Sequence, residues 1–133
     1  MYMKKKMLCL LLLLWGIFSV GNAQKLSPDV FGRQVDSICV LMNKALGQKD
    51  YRQGERFGKK LASLFNSQPQ KTQNARSWLV PGIYYNLACC QSILHKKGSA
   101  IKSLQPAYKA GYQDYRHAMK DTDLDFLHGD KRF

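Results

Sequence analysis

The chain has no obvious equipment for catalysis. No His-Glu-X-X-His, glycine-rich phosphate loop or Gly-X-Ser-X-Gly occurs in its 133 residues, which removes the commonest metalloprotease, nucleotide and serine-hydrolase signatures. Of its three histidines, His95 falls in the last turn of a helical pattern, where it can meet terminal carbonyls, and His117 and His128 fall in a polar tail. Cys90 and His95 would sit about 140° apart around a helix, too far round for a thiol and its base. No zinc set is built from Cys89, Cys90 and a histidine. The reading is a protein without enzymatic activity and without cofactor or metal. Asp121, Asp123 and Asp125 alternate like the start of a calcium loop, but Phe126 stands where glycine is needed and Arg132 where glutamate is needed.

Cysteine is also scarce. Cys9 lies in the leader, and the remaining three, Cys39, Cys89 and Cys90, are an odd number with two adjacent, which is no disulfide framework. They read as small buried apolar residues, with a bridge from Cys39 to Cys89 or Cys90 as the alternative that an exported location permits. Acids are few as well: 9 against 21 Lys and Arg. Such a balance draws a protein to anionic or acidic partners.

No apolar run is long enough to span a bilayer comfortably. The longest, 7–18, has 12 residues against the ~20 a spanning helix needs. It follows Lys4, Lys5 and Lys6 and precedes Gly21-Asn22-Ala23, the layout of a cleaved secretory signal over 1–23; a retained N-terminal membrane anchor is the alternative. Cleavage takes three lysines and leaves 18 basic residues facing 9 acids, a net +9. Export argues against nucleic acid and for an acidic protein or an anionic envelope surface.

What is present is helical periodicity. Ser27-Pro28-Asp29 offers a cap, a first-turn proline and an acid ahead of Phe31, Val35, Ile38, Met42 and Ala45. After Gly47, Asp50 can cap a second helix carrying Tyr51, Gly54, Phe57, Leu61, Leu64 and Phe65. These make hairpin one, 27–66. NSQPQKTQNARS, 66–77, reads as an exposed polar loop. Pro81 opens a third helix with Ile83, Leu87, Cys90 and Leu94 on one stripe. Gly98-Ser99 turns the chain, and a fourth helix bears Ala100, Ile101, Leu104, Ala107 and Tyr108 until Gly111. Pro106 should kink it. This is hairpin two, 81–111, and a capping segment, 112–133, follows. The fold class is all-α.

The two hairpins share a register. Met42, Gly54 and Leu61 have the same spacing as Ala88, Ala100 and Ala107, offset by 46. A tetratricopeptide repeat has a period of ~34, and the polar stretch 66–77 accounts for the excess of 12. Small residues at such points let helix backbones approach. With Tyr84, Leu87, Ala88, Ala100, Leu104 and Ala107 at matching positions, 82–112 resembles a tetratricopeptide repeat, and 35–69 a degenerate copy. Residues 85–133 resemble the ending of a group of tetratricopeptide-like bacterial proteins, with Asn-Leu-Ala-Cys, an Ala-Ile helix, Asp-X-Asp-Leu and a final Arg-Phe. The resemblance implies a binding or scaffold role in the cell envelope.

On that reading the inner face, from the first and third helices, grips a peptide or protein through Cys39, Asn43, Tyr85, Asn86 and Cys89, the asparagines serving backbone or carboxylate groups. The alternative is a basic adaptor on an anionic envelope polymer or lipid. Leu124, Phe126, Leu127 and Phe133 are expected to pack against hairpin two and close its end.

Overall fold

The computed structural model describes residues 24–133; the leader assigned to 1–23 lies outside the described residues. All regular structure there is helical. Ser27 accepts a hydrogen bond from the Val30 N–H at 3.3 Å and starts α1 (Pro28–Gly47). Asp50 accepts one from the Gln53 N–H at 3.1 Å and starts α2 (Tyr51–Asn66). Short α3 (Gln70–Gln73) and a 3-10 helix (Asn74–Leu79) lead into α4 (Val80–Ile93), which is followed by α5 (Lys97–Lys109), α6 (Tyr115–Lys120) and a final 3-10 helix (Thr122–Leu127). No helix among the described residues is long and apolar enough to cross a membrane.

The reversals of the two hairpins are built alike. At the end of α1 the N–H groups of Gln48, Lys49 and Asp50 reach the carbonyls of Lys44, Leu46 and Ala45; at the end of α4 those of Leu94, His95 and Lys96 reach Cys90, Ser92 and Gln91. Every one of these residues is displaced by 46 between the copies. The left-handed positions, usually glycine, are Lys49 at φ 56° and His95 at φ 59°. The second reversal therefore departs from the expected Gly98-Ser99 turn: Gly98 already lies in the first turn of α5, because His95 and Lys96 complete the change of direction.

α1 packs on α2, α2 on α4, and α4 on α5, with the last 3-10 helix laid across α4. Phe31, Val35, Ile38, Met42, Leu61, Phe65 and Ile83 form one core; Tyr85, Ala88, Cys89, Ala100, Ile101, Leu104, Ala107, Ala118, Leu124 and Leu127 form the other. Met42, Gly54, Leu61, Ala88, Ala100 and Ala107 are all buried. A close approach lies between hairpins: a Cβ on Gly54 would stand 2.7 Å from Cys90 Sγ, and one on Gly58 would stand 3.0 Å from Leu87. Pro106 lies inside α5 without ending it, the helix continuing to Lys109, although the ring forfeits the bond that an N–H there would give to the carbonyl one turn back.

The stretch 66–77 is not simply an exposed loop. Gln68 and Thr72 are buried in it. Gln68 Oε1 accepts from the Leu26 N–H at 2.8 Å, Gln68 Nε2 donates to the Gln24 carbonyl at 3.2 Å, and Thr72 Oγ1 donates to the Leu26 carbonyl at 3.2 Å. Polar side chains here satisfy a neighbouring backbone instead of water, so composition alone misreads them. In the C-terminal segment Leu124 and Leu127 are fully buried, but Phe126, expected to be packed, is 39% exposed; it lies edge-on to His95 with Lys97 over its ring.

Candidate functional site

α1 and the start of α4 leave a recess of about 230 Å³ between them, lined by Cys39, Met42, Asn43, Leu79, Gly82, Ile83 and Asn86. Its position follows from helix geometry: Cys39 and Asn43 are one turn apart on α1, as Gly82 and Asn86 are on α4. The floor is apolar, from Met42 and Ile83, and the two asparagines supply amide donors and acceptors. Neither Asn43 nor Asn86 side chain is engaged in a hydrogen bond elsewhere among the described residues. Trp78, next to Leu79, is 66% exposed, and its ring lies under the Arg76 guanidinium, 5.4 Å from the centroid. Arg76 is held in turn by Asp36, through bonds of 2.7 and 2.6 Å, which leave the Asp36 carboxyl below its ordinary range. Burial and the Asp36 charge push the Cys39 thiol up. The half-buried sulfur gives the wall a soft, weakly polar surface.

Three of the five expected contact residues, Cys39, Asn43 and Asn86, thus meet at one recess. Tyr85 and Cys89 do not. They are buried on another face of α4, under the C-terminal segment. Tyr85 donates its hydroxyl to Asp121 Oδ2 at 2.6 Å, and its ring stacks on Tyr112 at 4.4 Å; Cys89 Sγ lies 3.9 Å from the same Asp121 oxygen. Burial and the Asp121 hydrogen bond raise the Tyr85 hydroxyl far above its usual value, and burial with the Asp121 charge does the same to the Cys89 thiol. Nothing in the spacing of the sequence signals a contact between residues 36 apart. Leu79 and Gly82 also lie outside the expected set, although Trp78-Leu79-Val80 is an apolar run beside a polar one.

The alternative of a bridge from Cys39 to Cys89 or Cys90 is not formed: all three thiols are free, Cys89 and Cys90 buried as expected and Cys39 half-buried. Cys39 faces the recess, Cys89 faces Asp121, and Cys90, its thiol pushed up to about 11 by burial, fills the space over Gly54. Cys89, Asp121 and Asp123 do place ligand atoms within 4.8 Å of one another. Of the three, Asp121 is engaged within the chain: its Oδ1 accepts the Asp123 N–H at 3.0 Å and its Oδ2 accepts the Tyr85 hydroxyl. The cluster fastens the C-terminal segment to α4.

No family model matches the chain, and no solved structure matches it. Among curated proteins, a chloroplastic protein of Arabidopsis thaliana is 30% identical over 99 residues, covering 68% of this chain but only 28% of that protein's length.

Proposed function

We propose that this chain is an exported, non-catalytic protein-interaction module of the tetratricopeptide type, which holds a peptide or protein segment at the recess between α1 and α4. The observation that carries the reading is the meeting of Cys39, Asn43 and Asn86 on an apolar floor, with two amides free to pair with an extended backbone or a carboxylate. The 46-residue register, repeated in side chains and in both reversals, supports the repeat assignment. The leader assignment rests on the residues of 1–23 alone. The excess of basic residues supports a second reading, a basic adaptor on an anionic envelope polymer or lipid.

Salt and two asparagines separate these readings. Pulldown from envelope extract at low and high ionic strength should retain a partner held by apolar and amide contacts, whereas surface-charge binding collapses. Asn43→Ala with Asn86→Ala should leave the melting curve in place and weaken the salt-resistant partner. Undiminished binding by that variant would move the site away from the recess.

A further inference from the structure

The repeat register identifies a second face with a different occupant. Under the offset of 46, Gln34, Ser37, Ile38 and Leu41 of α1 correspond to Val80, Ile83, Tyr84 and Leu87 of α4. In α4 this face is covered by a helix: Leu87 is buried, with its side chain 3.0 Å from where a Gly58 Cβ would stand on α2. In α1 the same face, together with Val30 and Arg33, lines a groove of about 500 Å³ whose other wall includes Lys60 of α2. Leu41 in it is 45% exposed. It points away from the recess, because Leu41 lies two residues from Cys39, about 200° round the helix.

We propose that this groove receives an amphipathic α-helix of a partner protein, with acidic residues along its edges. A helix fits because the equivalent face of α4 takes α2. The stripe from Val30 to Leu41 is about 17 Å long, roughly three helical turns. Val30, Ile38 and Leu41 supply apolar contacts, and the charged lining residues, Arg33 and Lys60, are both cations with no acid among them. The guanidinium and the ammonium match carboxylates on the flanks of an apolar stripe, the arrangement of helix-in-groove recognition. Where Leu41 meets the incoming helix, a small residue should stand, as Gly58 does opposite Leu87. This goes beyond the recess and shares no lining residue with it.

The test places a photo-crosslinking amino acid at Ser37 of the full chain. The probe is a synthetic amphipathic peptide of about 14 residues with an alanine and leucine stripe edged by glutamate, and its glutamine analogue is the control. Crosslinking to the glutamate peptide is expected, with an affinity roughly tenfold that of the glutamine analogue. Arg33→Glu with Lys60→Glu should remove the preference, and Leu41→Lys should abolish binding. Equal affinity for the two peptides, or binding untouched by these variants, overturns the proposal. So does a crosslink to a second copy of the chain or to residues 1–23, either of which would name a different occupant, and so does the absence of any crosslink.

Discussion

In hairpin two the face of α4 that bears Tyr85 and Cys89 is closed by the chain's own C-terminal segment, whereas the residues 46 earlier on α1, Cys39 and Asn43, border an open recess. The reversals share one hydrogen-bond pattern, and the buried positions 42, 54 and 61 recur as 88, 100 and 107, although only Gly54 keeps a small residue in hairpin one. The difference lies in what covers each copy. Here the Asp121–Tyr85 clamp and two leucines close one face, while the described residues leave the other accessible. The same register positions are thus covered in one hairpin and open in the other.

The sharpest way to break this comparison is to remove the cover. Leu127→Ala should cost about 2–5 kcal/mol, because its side chain is fully buried. Leu41→Ala, on the open face, should change stability by no more than about 0.5 kcal/mol. Urea denaturation of both variants measures the contrast, and equal midpoints would mean that the segment is not a cover.

Next comes the close approach between hairpins. Gly54→Leu and Ala100→Leu should each cost about 1–3 kcal/mol by overpacking, since Ala100 is fully buried and a Cβ at Gly54 already crowds Cys90. Asn74→Ala is the control and should shift stability by less than about 0.5 kcal/mol. If all three behave alike, the register does not describe the packing.

Loosening the clamp alone should have a smaller effect. Tyr85→Phe removes the 2.6 Å bond to Asp121 and should cost about 1–2 kcal/mol. Thiol labelling then distinguishes a local opening from a global one: Cys89 should react faster in the variant, while Cys90, packed over Gly54, should keep its rate. The reversals offer a stabilising change of about 1 kcal/mol. Lys49→Gly relieves a left-handed non-glycine residue, whereas His95→Gly should gain less, because it forfeits the contact of His95 with Phe126. Thermal melts of the pair decide whether the second reversal is tied to the cover.

The smallest expected effect is on acid stability. Burial alone would raise the Glu55 carboxyl, but the ion pairs with Lys59 and Lys96, at 2.7 and 2.6 Å, outweigh it and leave its pKa below the ordinary value. A depressed folded-state pKa means that the unfolded chain takes up the proton first as pH falls. The contribution is therefore present above about pH 4.3 and is lost as pH drops through the lower folded value. Both lysines are substantially exposed, so the gain is modest. Glu55→Gln should flatten this part of the stability profile between about pH 6 and 3, as read by denaturation across that range.

Much of the helical skeleton is legible in the residues. Ser27 and Asp50 stand where caps are needed, and the stripe Phe31, Val35, Ile38, Met42, Ala45 is the buried face of α1. Illegible are the roles of polar residues that bind distant backbone, such as Gln68 and Thr72, and the direction of a helix face that is apolar nearly all round. α4 is such a helix, with eight of its fourteen residues buried. Periodicity cannot say which of its sides meets α2, the C-terminal segment or the recess, and so it groups Tyr85 and Cys89 with Asn86.

The sequence by itself determined the all-α class, the caps and the 46-residue register, because these depend on neighbours three or four positions apart and on backbone preferences at single residues. Only the tertiary structure decided which face is covered, which asparagines share a recess, and that His95 instead of Gly98 turns the second hairpin. Those outcomes depend on contacts such as Leu26 with Gln68 and Tyr85 with Asp121, 42 and 36 residues apart, whose partners are selected by the packing of whole helices and leave no local periodic trace.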